Sequence, residues 1–253
     1  MPDFIIVGAQ KAGTTSLYKY LQSHPSVVLP PDVWKEIHYF NEKYNRGSLW
    51  YKSNFPIKSR NNFYLTFEAS PNYMFYPHSA SRITQACPNA KIIFLLRNPV
   101  DRAYSHYNHN LTYQRESRSF ERAIEEDSSK IEGELQKMLN DQHFYSKYCM
   151  DFAYLHKSIY VDQLARFLSC FPRNNILVLE TEKLFGDTHN VFLEVQKFLN
   201  LPIQNYQLKE FKPHNTRNYS HGLDLNTRRQ LTNYFSQYNH QLFELIGIEF
   251  DWD

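Results

Sequence analysis

The residues near the start of the chain have the types and spacing of an anion-binding loop. Lys11 lies between Gly8 and Gly13, and hydroxyl side chains follow at positions 14–16. An apolar run at residues 4–8 comes before the loop and apolar residues recur at helical spacing after it, which predicts a strand, a loop and a helix N-terminus. The first amides of a helix lack intrahelical acceptors, its dipole favours an anion, and glycines let the backbone approach closely. The pattern therefore predicts a phosphate-binding site.

The loop departs from the one that binds nucleoside triphosphates. The consensus of that loop is G-x-x-x-x-G-K-[ST]. Gly8 and Gly13 have this spacing, but Thr14 stands where the consensus has lysine, and Lys11 lies inside the loop instead. The change moves the positive charge from the far phosphate toward the middle of the bound phosphate chain. The alternative is an ordinary strand, turn and helix with a solvated lysine.

Two further polar groups follow predicted strands. Glu68 ends one strand, and Arg97 ends the most apolar one, with Ser105 eight residues further on in the next helix. Ligands of parallel α/β sheets collect at the carboxyl ends of the strands. A kinase or ATPase would need an aspartate there to manage Mg²⁺, whereas an arginine suits a second phosphate. The sequence thus predicts a phosphorylated ligand bound without magnesium, and the alternative for Arg97 is a surface salt bridge.

The order of apolar runs predicts an α/β fold in which a central, mostly parallel sheet is flanked by helices. The chain shows no repeat and no linker, so we expect one domain over residues 1–253. Strands are predicted at 4–8, 26–29, 64–67, 91–96 and 175–179. Helices are predicted from the loop to Pro25 and at 77–86, 99–113, 118–145 with a loose segment at 127–129, 151–171, 190–199 and 223–246.

Composition narrows the function classes. A net charge of +2 gives no electrostatic case for a nucleic-acid partner. No apolar stretch approaches the roughly 18 residues that a membrane span needs, and the first strand begins too early to leave room for a signal peptide. The three cysteines, Cys87, Cys149 and Cys170, have no metal-site or disulfide spacing, which is typical of a reducing compartment. The sequence predicts no particular oligomeric state.

Three motifs together resemble the sulfotransferases that use 3′-phosphoadenylyl sulfate (PAPS), closest to the heparan-sulfate-type group and its bacterial relatives. Residues 6–17, Ile-Val-Gly-Ala-Gln-Lys-Ala-Gly-Thr-Thr-Ser-Leu, resemble the family's 5′-phosphosulfate loop. Residues 95–107, Leu-Leu-Arg-Asn-Pro-Val-Asp-Arg-Ala-Tyr-Ser-His-Tyr, resemble its 3′-phosphate motif. Residues 35–40, Lys-Glu-Ile-His-Tyr-Phe, resemble the segment that carries its catalytic carboxylate. The resemblance implies the P-loop-like three-layer version of the α/β fold.

The resemblance also implies roles for single residues. Lys11 would neutralise charge on the bridging oxygen as sulfate leaves, while Arg97 and Ser105 would bind the 3′-phosphate. Glu36 would be the general base, which requires burial to raise its pKa toward neutrality. His38 would orient the acceptor or share the proton. The 5′-phosphosulfate would be held by the amides and hydroxyls of Lys11, Ala12, Gly13, Thr14, Thr15 and Ser16.

Some of these residues have simpler alternatives. Glu36 could form a salt bridge with Lys35 or another cation, and His38 could be a packed histidine. The polar loop after residue 200 stands where the family closes over the nucleotide, and His214, Asn215 and Arg217 would contact the donor there. The alternative for that loop is a solvated basic segment.

Departures from the family pattern bear on the acceptor. Heparan-type enzymes carry an acidic residue where this chain has Asn41 and a basic one where it has Ala69, and the resemblance implies that both positions face the acceptor. Loss of a cation argues against a highly anionic polysaccharide. We therefore expect a small-molecule or carbohydrate acceptor: a hydroxyl of a small metabolite, glycolipid or sugar. The missing secretory anchor and paired cysteines of Golgi enzymes favour a cytoplasmic, bacterial enzyme that needs no metal.

Two other classes remain open at this stage. One is a P-loop-type kinase for a small hydroxyl compound, against which the absent Gly-Lys-Thr and strand-end aspartate count. The other is a non-catalytic nucleotide-binding protein, against which the presence of Lys11 and Glu36 counts. Acceptor specificity is expected in residues 30–62 and 113–150.

Overall fold

The computed structural model describes residues 1–29, 35–57, 64–204 and 222–252. They fall into two compact units. The sheet unit comprises the described residues of Met1–Leu96 and Phe167–Thr216, and the helical unit those of Arg97–Arg166 and Arg217–Asp253. The expectation of one domain stays a prediction.

The sheet unit is built on four parallel strands in the order β2-β1-β3-β4. Strand β1 pairs with β2 and β3, and β3 pairs with β4 along its length. Nearly every strand residue is buried, as unalternating apolar runs predict for a sheet covered on both faces. The strands are β1 (Phe4–Gly8), β2 (Phe67–Ala69), β3 (Lys91–Leu96) and β4 (Ile176–Glu180).

The predicted strand at 64–67 is displaced toward its C-terminal end. Leu65 makes a single parallel bridge to Val27, in the region predicted as a short strand. The pairing with β1 begins only at Phe67, whose ring stacks on that of Phe4 with centroids 4.5 Å apart. The displacement places Glu68 inside β2 rather than after it.

The predicted helices occur in the predicted order, with shifts of several residues at some ends, but the structure adds two short helices, at 47–53 and 181–186, that the pattern does not predict. Helix α1 starts directly after the loop, and α4 starts at Pro99 as predicted. In the described part of the chain the α-helices are α1 (Thr14–Gln22), α2 (Gly47–Ser53), α3 (Ser79–Ala86), α4 (Pro99–Thr112), α5 (Phe120–Asn140), α6 (Lys147–Phe152), α7 (Tyr160–Leu168), α8 (Thr181–Gly186), α9 (Thr188–Leu199) and α10 (Leu225–Ile246).

Two helix predictions were wrong in detail. The loose segment expected at 127–129 is continuous helix, because buried Ala123, Ile131 and Met138 keep one apolar face of α5 packed. The helix expected at 151–171 is interrupted between α6 and α7. The buried Arg102 guanidinium holds the interruption by donating to the Tyr154 carbonyl and to Ser158 Oγ. A contact more than fifty residues away in sequence leaves no trace in the local periodicity.

Candidate active site

The loop between β1 and α1 has the backbone that its glycines predict. Gly13 adopts a left-handed conformation, with φ of +86°, that favours glycine. A Cβ on Gly8 would lie 2.5 Å from Met74 Cβ, so close packing within the protein itself excludes a side chain there. Thr181 fixes the loop further, because its hydroxyl lies 2.7 Å from the Ala12 carbonyl oxygen and 2.8 Å from that of Leu96.

The N-terminus of α1 is suited to an anion. No side chain in the described part of the chain caps this helix, and its first turn contains no acidic residue. No acidic residue of that turn therefore offsets the positive end of the helix dipole. Lys11 lies half-buried within the preceding loop in a left-handed conformation, with φ of +73°. The geometry supports the predicted anion loop over an ordinary turn.

Lys35 links this loop to the predicted catalytic carboxylate. Its Nζ donates to Thr15 Oγ1 at 2.9 Å and to Thr14 Oγ1 at 3.1 Å, and lies 3.4 Å from Glu36 Oε1. The side chain of Lys35 is only 11% exposed, and burial lowers its pKa against the opposing influence of Glu36. Lys35 thus brings a positive charge to Thr14, the position that a triphosphate-binding loop fills with lysine.

Glu36 and His38 form a pair on the same segment. His38 Nε2 lies 3.0 Å from Glu36 Oε2, and the Glu36 side chain is 39% exposed. His38 adopts a left-handed conformation, with φ of +58°, that turns the chain after Glu36. His38 Nδ1 is buried and has no hydrogen-bond partner among the described residues. Both alternatives from the sequence hold in part, because Glu36 contacts Lys35 and His38 is largely packed.

The expected rise in the pKa of Glu36 is wrong for this structure. Burial is the largest single influence and raises the pKa, but the hydrogen bond from His38 and the charges of Lys35 and His38 together outweigh it. The net result is a pKa below the ordinary glutamate value. The carboxylate is therefore ionised at neutral pH and ready to accept a proton, although it is a weaker base than expected.

Replacing Lys35 with methionine is expected to raise the pKa of Glu36. Methionine keeps most of the side-chain volume but removes the charge that stabilises the carboxylate. NMR titration of the Glu36 carboxyl should give a midpoint below the ordinary value in the parent and a higher midpoint in Lys35→Met. Lys43→Met is the matched control, because Lys43 is not among the groups that shift Glu36. An unchanged midpoint in Lys35→Met would disprove the coupling.

A second carboxylate, that of Glu68, lies within β2. Glu68 is 1% exposed and accepts hydrogen bonds from the hydroxyls of Tyr51, Ser70 and Tyr73. Burial raises the pKa of Glu68, against the hydrogen bonds that lower it. The pKa shifts of Glu36 and Glu68 thus have opposite signs.

The residues predicted to bind the 3′-phosphate belong to the helical unit. Arg97 lies two residues before α4 and is half-buried, and its carbonyl accepts a hydrogen bond from Tyr160 Oη at 2.9 Å. Asn98 caps α4 by accepting from the amides of Val100 and Asp101. Ser105 lies within α4 and is 4% exposed. Their role toward a ligand stays a prediction.

Comparison with known proteins establishes the family. The family model described as the sulfotransferase domain matches residues 1–244. The chain belongs to the sulfotransferase domain family. The crystal structure of a sulfotransferase from Alicyclobacillus acidocaldarius superposes with a TM-score of 0.76 at 30% identity, covering 99% of this chain and 97% of that one. The predicted P-loop-like α/β fold, with its parallel central sheet flanked by helices, is confirmed.

Curated relatives of this sulfotransferase domain are longer than the chain itself. A Dictyostelium discoideum protein named membrane-associated sulfotransferase kil1 is 30% identical over all of this chain and 66% of its own length. The human bifunctional heparan sulfate N-deacetylase/N-sulfotransferase 3 is 33% identical over 81% of this chain and 23% of its own length. The mouse heparan sulfate glucosamine 3-O-sulfotransferase 3B1 is 27% identical over 100% of this chain and 65% of its own length. The chain therefore spans about two thirds, or less, of these proteins.

The predicted donor-contacting loop, a metal site and a membrane span can be compared only with the described part of the sulfotransferase domain. His214, Asn215 and Arg217 lie outside the described residues. Within the described ranges, no cluster of His, Cys, Asp and Glu could hold a metal ion. No helix in those ranges combines the length and apolarity needed to cross a bilayer.

The two positions expected to face the acceptor are buried. Ala69 is inaccessible within β2, and Asn41 is 3% exposed. Neither the amide nitrogen nor the amide oxygen of Asn41 has a hydrogen-bond partner among the described residues. The acceptor preference inferred from these positions stays a prediction.

Sequence reasoning missed the role of Lys35. It placed Lys35 beside Glu36 only as a possible salt-bridge partner, and that contact exists at 3.4 Å. The contacts of its ammonium group with Thr14 and Thr15 span about twenty residues. The only signal for them was the lysine absent from position 14, which a cation from elsewhere could replace.

Proposed function

We propose that the domain transfers a sulfuryl group from PAPS to a hydroxyl group of a small metabolite, glycolipid or sugar, and releases adenosine 3′,5′-bisphosphate (PAP). One observation carries the proposal: the Lys35 ammonium contacts both the hydroxyls of the anion loop and the carboxylate of Glu36. An anion held at the start of α1 would lie next to a group that can accept a proton. Membership of the sulfotransferase domain family supports the choice of a sulfuryl group as the one transferred.

The loop residues hold the donor in this proposal. The hydroxyls at positions 14–16, and amides of the loop other than those of Ala12 and Ser16, bind the 5′-phosphosulfate at the positive end of the α1 dipole. The Ser16 amide already donates to the Gly13 carbonyl at 2.9 Å. Lys11 stabilises the negative charge that grows on the bridging oxygen as the sulfur–oxygen bond breaks. Lys35 provides a second positive charge beside Thr14 and Thr15. The Ala12 amide is already bonded to the Ala9 carbonyl at 3.2 Å, so its part is to keep the loop in shape.

Glu36 removes the proton from the acceptor. The acceptor oxygen forms a bond to sulfur, its proton passes to the Glu36 carboxylate, and the bond from sulfur to the donor's phosphate oxygen breaks. His38 orients Glu36 through the 3.0 Å contact and shares the proton. Donor binding brings negative charge next to Lys35. This charge offsets the electrostatic stabilisation that Lys35 gives the Glu36 carboxylate, so the pKa of Glu36 rises and the carboxylate becomes a stronger base.

Arg97 and Ser105 are assigned to the 3′-phosphate, which distinguishes PAP from adenosine 5′-phosphate. A guanidinium binds a phosphate through paired charge-assisted hydrogen bonds. His214, Asn215 and Arg217 are assigned to the same donor. These assignments rest on the sequence motifs and the resemblance.

Replacing Arg97 with alanine is expected to weaken PAP binding about ten- to a hundredfold, which corresponds to the loss of one charge-assisted contact. Affinity for adenosine 5′-phosphate should change little, because that nucleotide has no 3′-phosphate. Titration calorimetry with both nucleotides measures the difference. Arg122→Ala is the matched control, since Arg122 is 69% exposed on α5. Equal loss for both nucleotides would remove Arg97 from the 3′-phosphate site.

The activity itself is tested by transfer of ³⁵S from labelled PAPS to a panel of acceptors. The panel contains neutral sugars, glycolipids, phenols and amino sugars, with and without a chelator. Transfer to hydroxyl compounds that a chelator does not reduce supports the proposal. Transfer to amino groups alone would replace the hydroxyl acceptor with an amine, as in the N-sulfotransferases named among the relatives. Magnesium-dependent transfer of phosphate from ATP would instead support the kinase alternative, and PAP binding without any transfer the non-catalytic one.

A cytoplasmic location and a bacterial source stay predictions.

A further inference from the structure

Glu68 lies at the centre of a buried hydrogen-bond network beside residues 35–40, which carry the proposed base Glu36 and are called the catalytic segment below. Its Oε2 accepts from Ser70 Oγ at 2.7 Å, and its Oε1 accepts from Tyr51 Oη at 2.6 Å. Tyr73 Oη lies 3.1 Å and 3.2 Å from the two carboxylate oxygens. The carboxylate and the three hydroxyl-bearing residues are each at most 1% exposed. Water therefore does not compete for these bonds.

Two of these hydroxyls also hold the backbone that follows Glu36. Ser70 Oγ accepts the amide of His38 at 3.2 Å, and Tyr73 Oη accepts the amide of Tyr39 at 2.8 Å. A hydroxyl has one hydrogen, and each of these hydroxyls directs that hydrogen to Glu68, which leaves its lone pairs for the amide. The Ala69 amide adds a third link by donating to the Lys35 carbonyl at 3.1 Å.

We propose that Glu68 is a positioning residue for the transfer reaction: by fixing the Ser70 and Tyr73 hydroxyls, it holds the His38–Tyr39 backbone and thereby the Glu36–His38 pair. The proposal rests on the proposed function, because it assigns the network to the geometry of that reaction. His38 has a left-handed backbone conformation, and the hydrogen bonds donated by its own amide and by the Tyr39 amide stabilise it. A shift of about 1 Å in a reacting group can reduce the rate about a hundredfold.

Tyr73 and Tyr51 allow a matched test. Replacing either with phenylalanine removes one buried phenol hydroxyl from the same carboxylate and keeps the ring. Of the two phenol hydroxyls, only that of Tyr73 also accepts a hydrogen bond from a backbone amide of the catalytic segment in the described structure. A purely structural role predicts the same rate for both folded variants, whereas positioning predicts a slower Tyr73→Phe.

In the test, kcat and KM are measured with labelled PAPS and the best acceptor of the panel, and the PAP dissociation constant by calorimetry. We expect kcat of Tyr73→Phe to fall about ten- to a hundredfold below that of Tyr51→Phe, with PAP affinity unchanged. The acid limb of the rate profile should also move to higher pH in Tyr73→Phe. Lys35 and His38 keep the pKa of Glu36 low, and the variant loses the hydrogen bond that fixes the backbone next to His38. If Tyr73→Phe does not fold, Ser70→Ala removes the other amide contact and should show the same rate loss and shift.

Amide hydrogen exchange by NMR separates the possible failures. The Tyr39 amide should exchange faster in Tyr73→Phe than in the parent or in Tyr51→Phe. Faster exchange with equal kcat in the two phenylalanine variants would overturn the positioning role and leave the proposed function intact. Unchanged exchange of the Tyr39 amide would overturn it as well. If the parent transfers no sulfate to any acceptor, the proposed function fails, and the positioning role of Glu68 fails with it.

Discussion

Replacing Lys11 with alanine is expected to lower kcat for sulfuryl transfer about a hundred- to a thousandfold, the range typical of losing one preorganised electrostatic group at a developing charge. The fold should tolerate the change. Lys11 is half-buried, and alanine has the same Cβ in the left-handed conformation that Lys11 occupies. The measurement is steady-state transfer from labelled PAPS, accompanied by a melting curve. The melting temperature should stay within about 2 °C of the parent.

Lys19→Ala is the control for the Lys11 variant. Lys19 is exposed in the last turn of α1, the helix that follows the loop of Lys11, and its Nζ donates to Gln22 at 2.9 Å. The two substitutions remove the same charge, so a nonspecific effect of net charge would appear in both. A rate for Lys11→Ala equal to that of Lys19→Ala would remove Lys11 from the reaction.

Replacing Glu36 with glutamine is expected to lower kcat about a hundred- to ten-thousandfold, the usual contribution of a general base. Glutamine keeps the size of the side chain but cannot accept the acceptor's proton. The affinity for PAP should survive, since Glu36 contacts the donor loop only through Lys35. Initial rates at saturating PAPS and calorimetry with PAP test the two halves of this expectation.

The rate profile against pH gives an independent check on Glu36. A base works only when ionised, and the pKa of Glu36 lies below the ordinary glutamate value. The kcat/KM of the parent, which reports the free enzyme, should therefore persist as the pH falls through the usual glutamate range and be lost only below it. This acid limb should be absent from the residual rate of Glu36→Gln. Glu42→Gln, which changes an exposed glutamate on the same segment, should keep the parental rate and limb. A Glu36→Gln enzyme with parental kcat would assign the base elsewhere.

Much of the fold could be predicted from short stretches of sequence. The runs at β1, β3 and β4 are apolar without alternation, and this composition alone indicates parallel strands buried on both faces. The loop before α1 could be predicted as well, since a left-handed Gly13 and a lysine between two glycines are local features. Predictions were weaker at β2 and between α6 and α7, where pairing with β1 and the buried Arg102 decide the geometry.

The candidate site was predicted only in part. Lys11, Glu36 and His38 could be proposed as site residues because each belongs to a contiguous motif, and their roles stay predictions. The sign of the Glu36 pKa shift could not, because it is a balance between burial and the positions of Lys35 and His38. The network around Glu68 could not be predicted either, since it joins Tyr51 of α2, residues in and after β2, and the backbone of His38 and Tyr39.

The sequence by itself determined the family, the parallel sheet and the anion loop, because each depends on residues adjacent in the chain. Only the tertiary structure decided that Lys35 reaches Thr14 and Thr15, that Glu36 has a lowered pKa, and that Glu68 bonds the hydroxyls that accept the His38 and Tyr39 amides. Hydrogen bonds and charges act over a few ångströms in space, whatever their separation along the chain. Their partners become known only when the fold brings distant segments together.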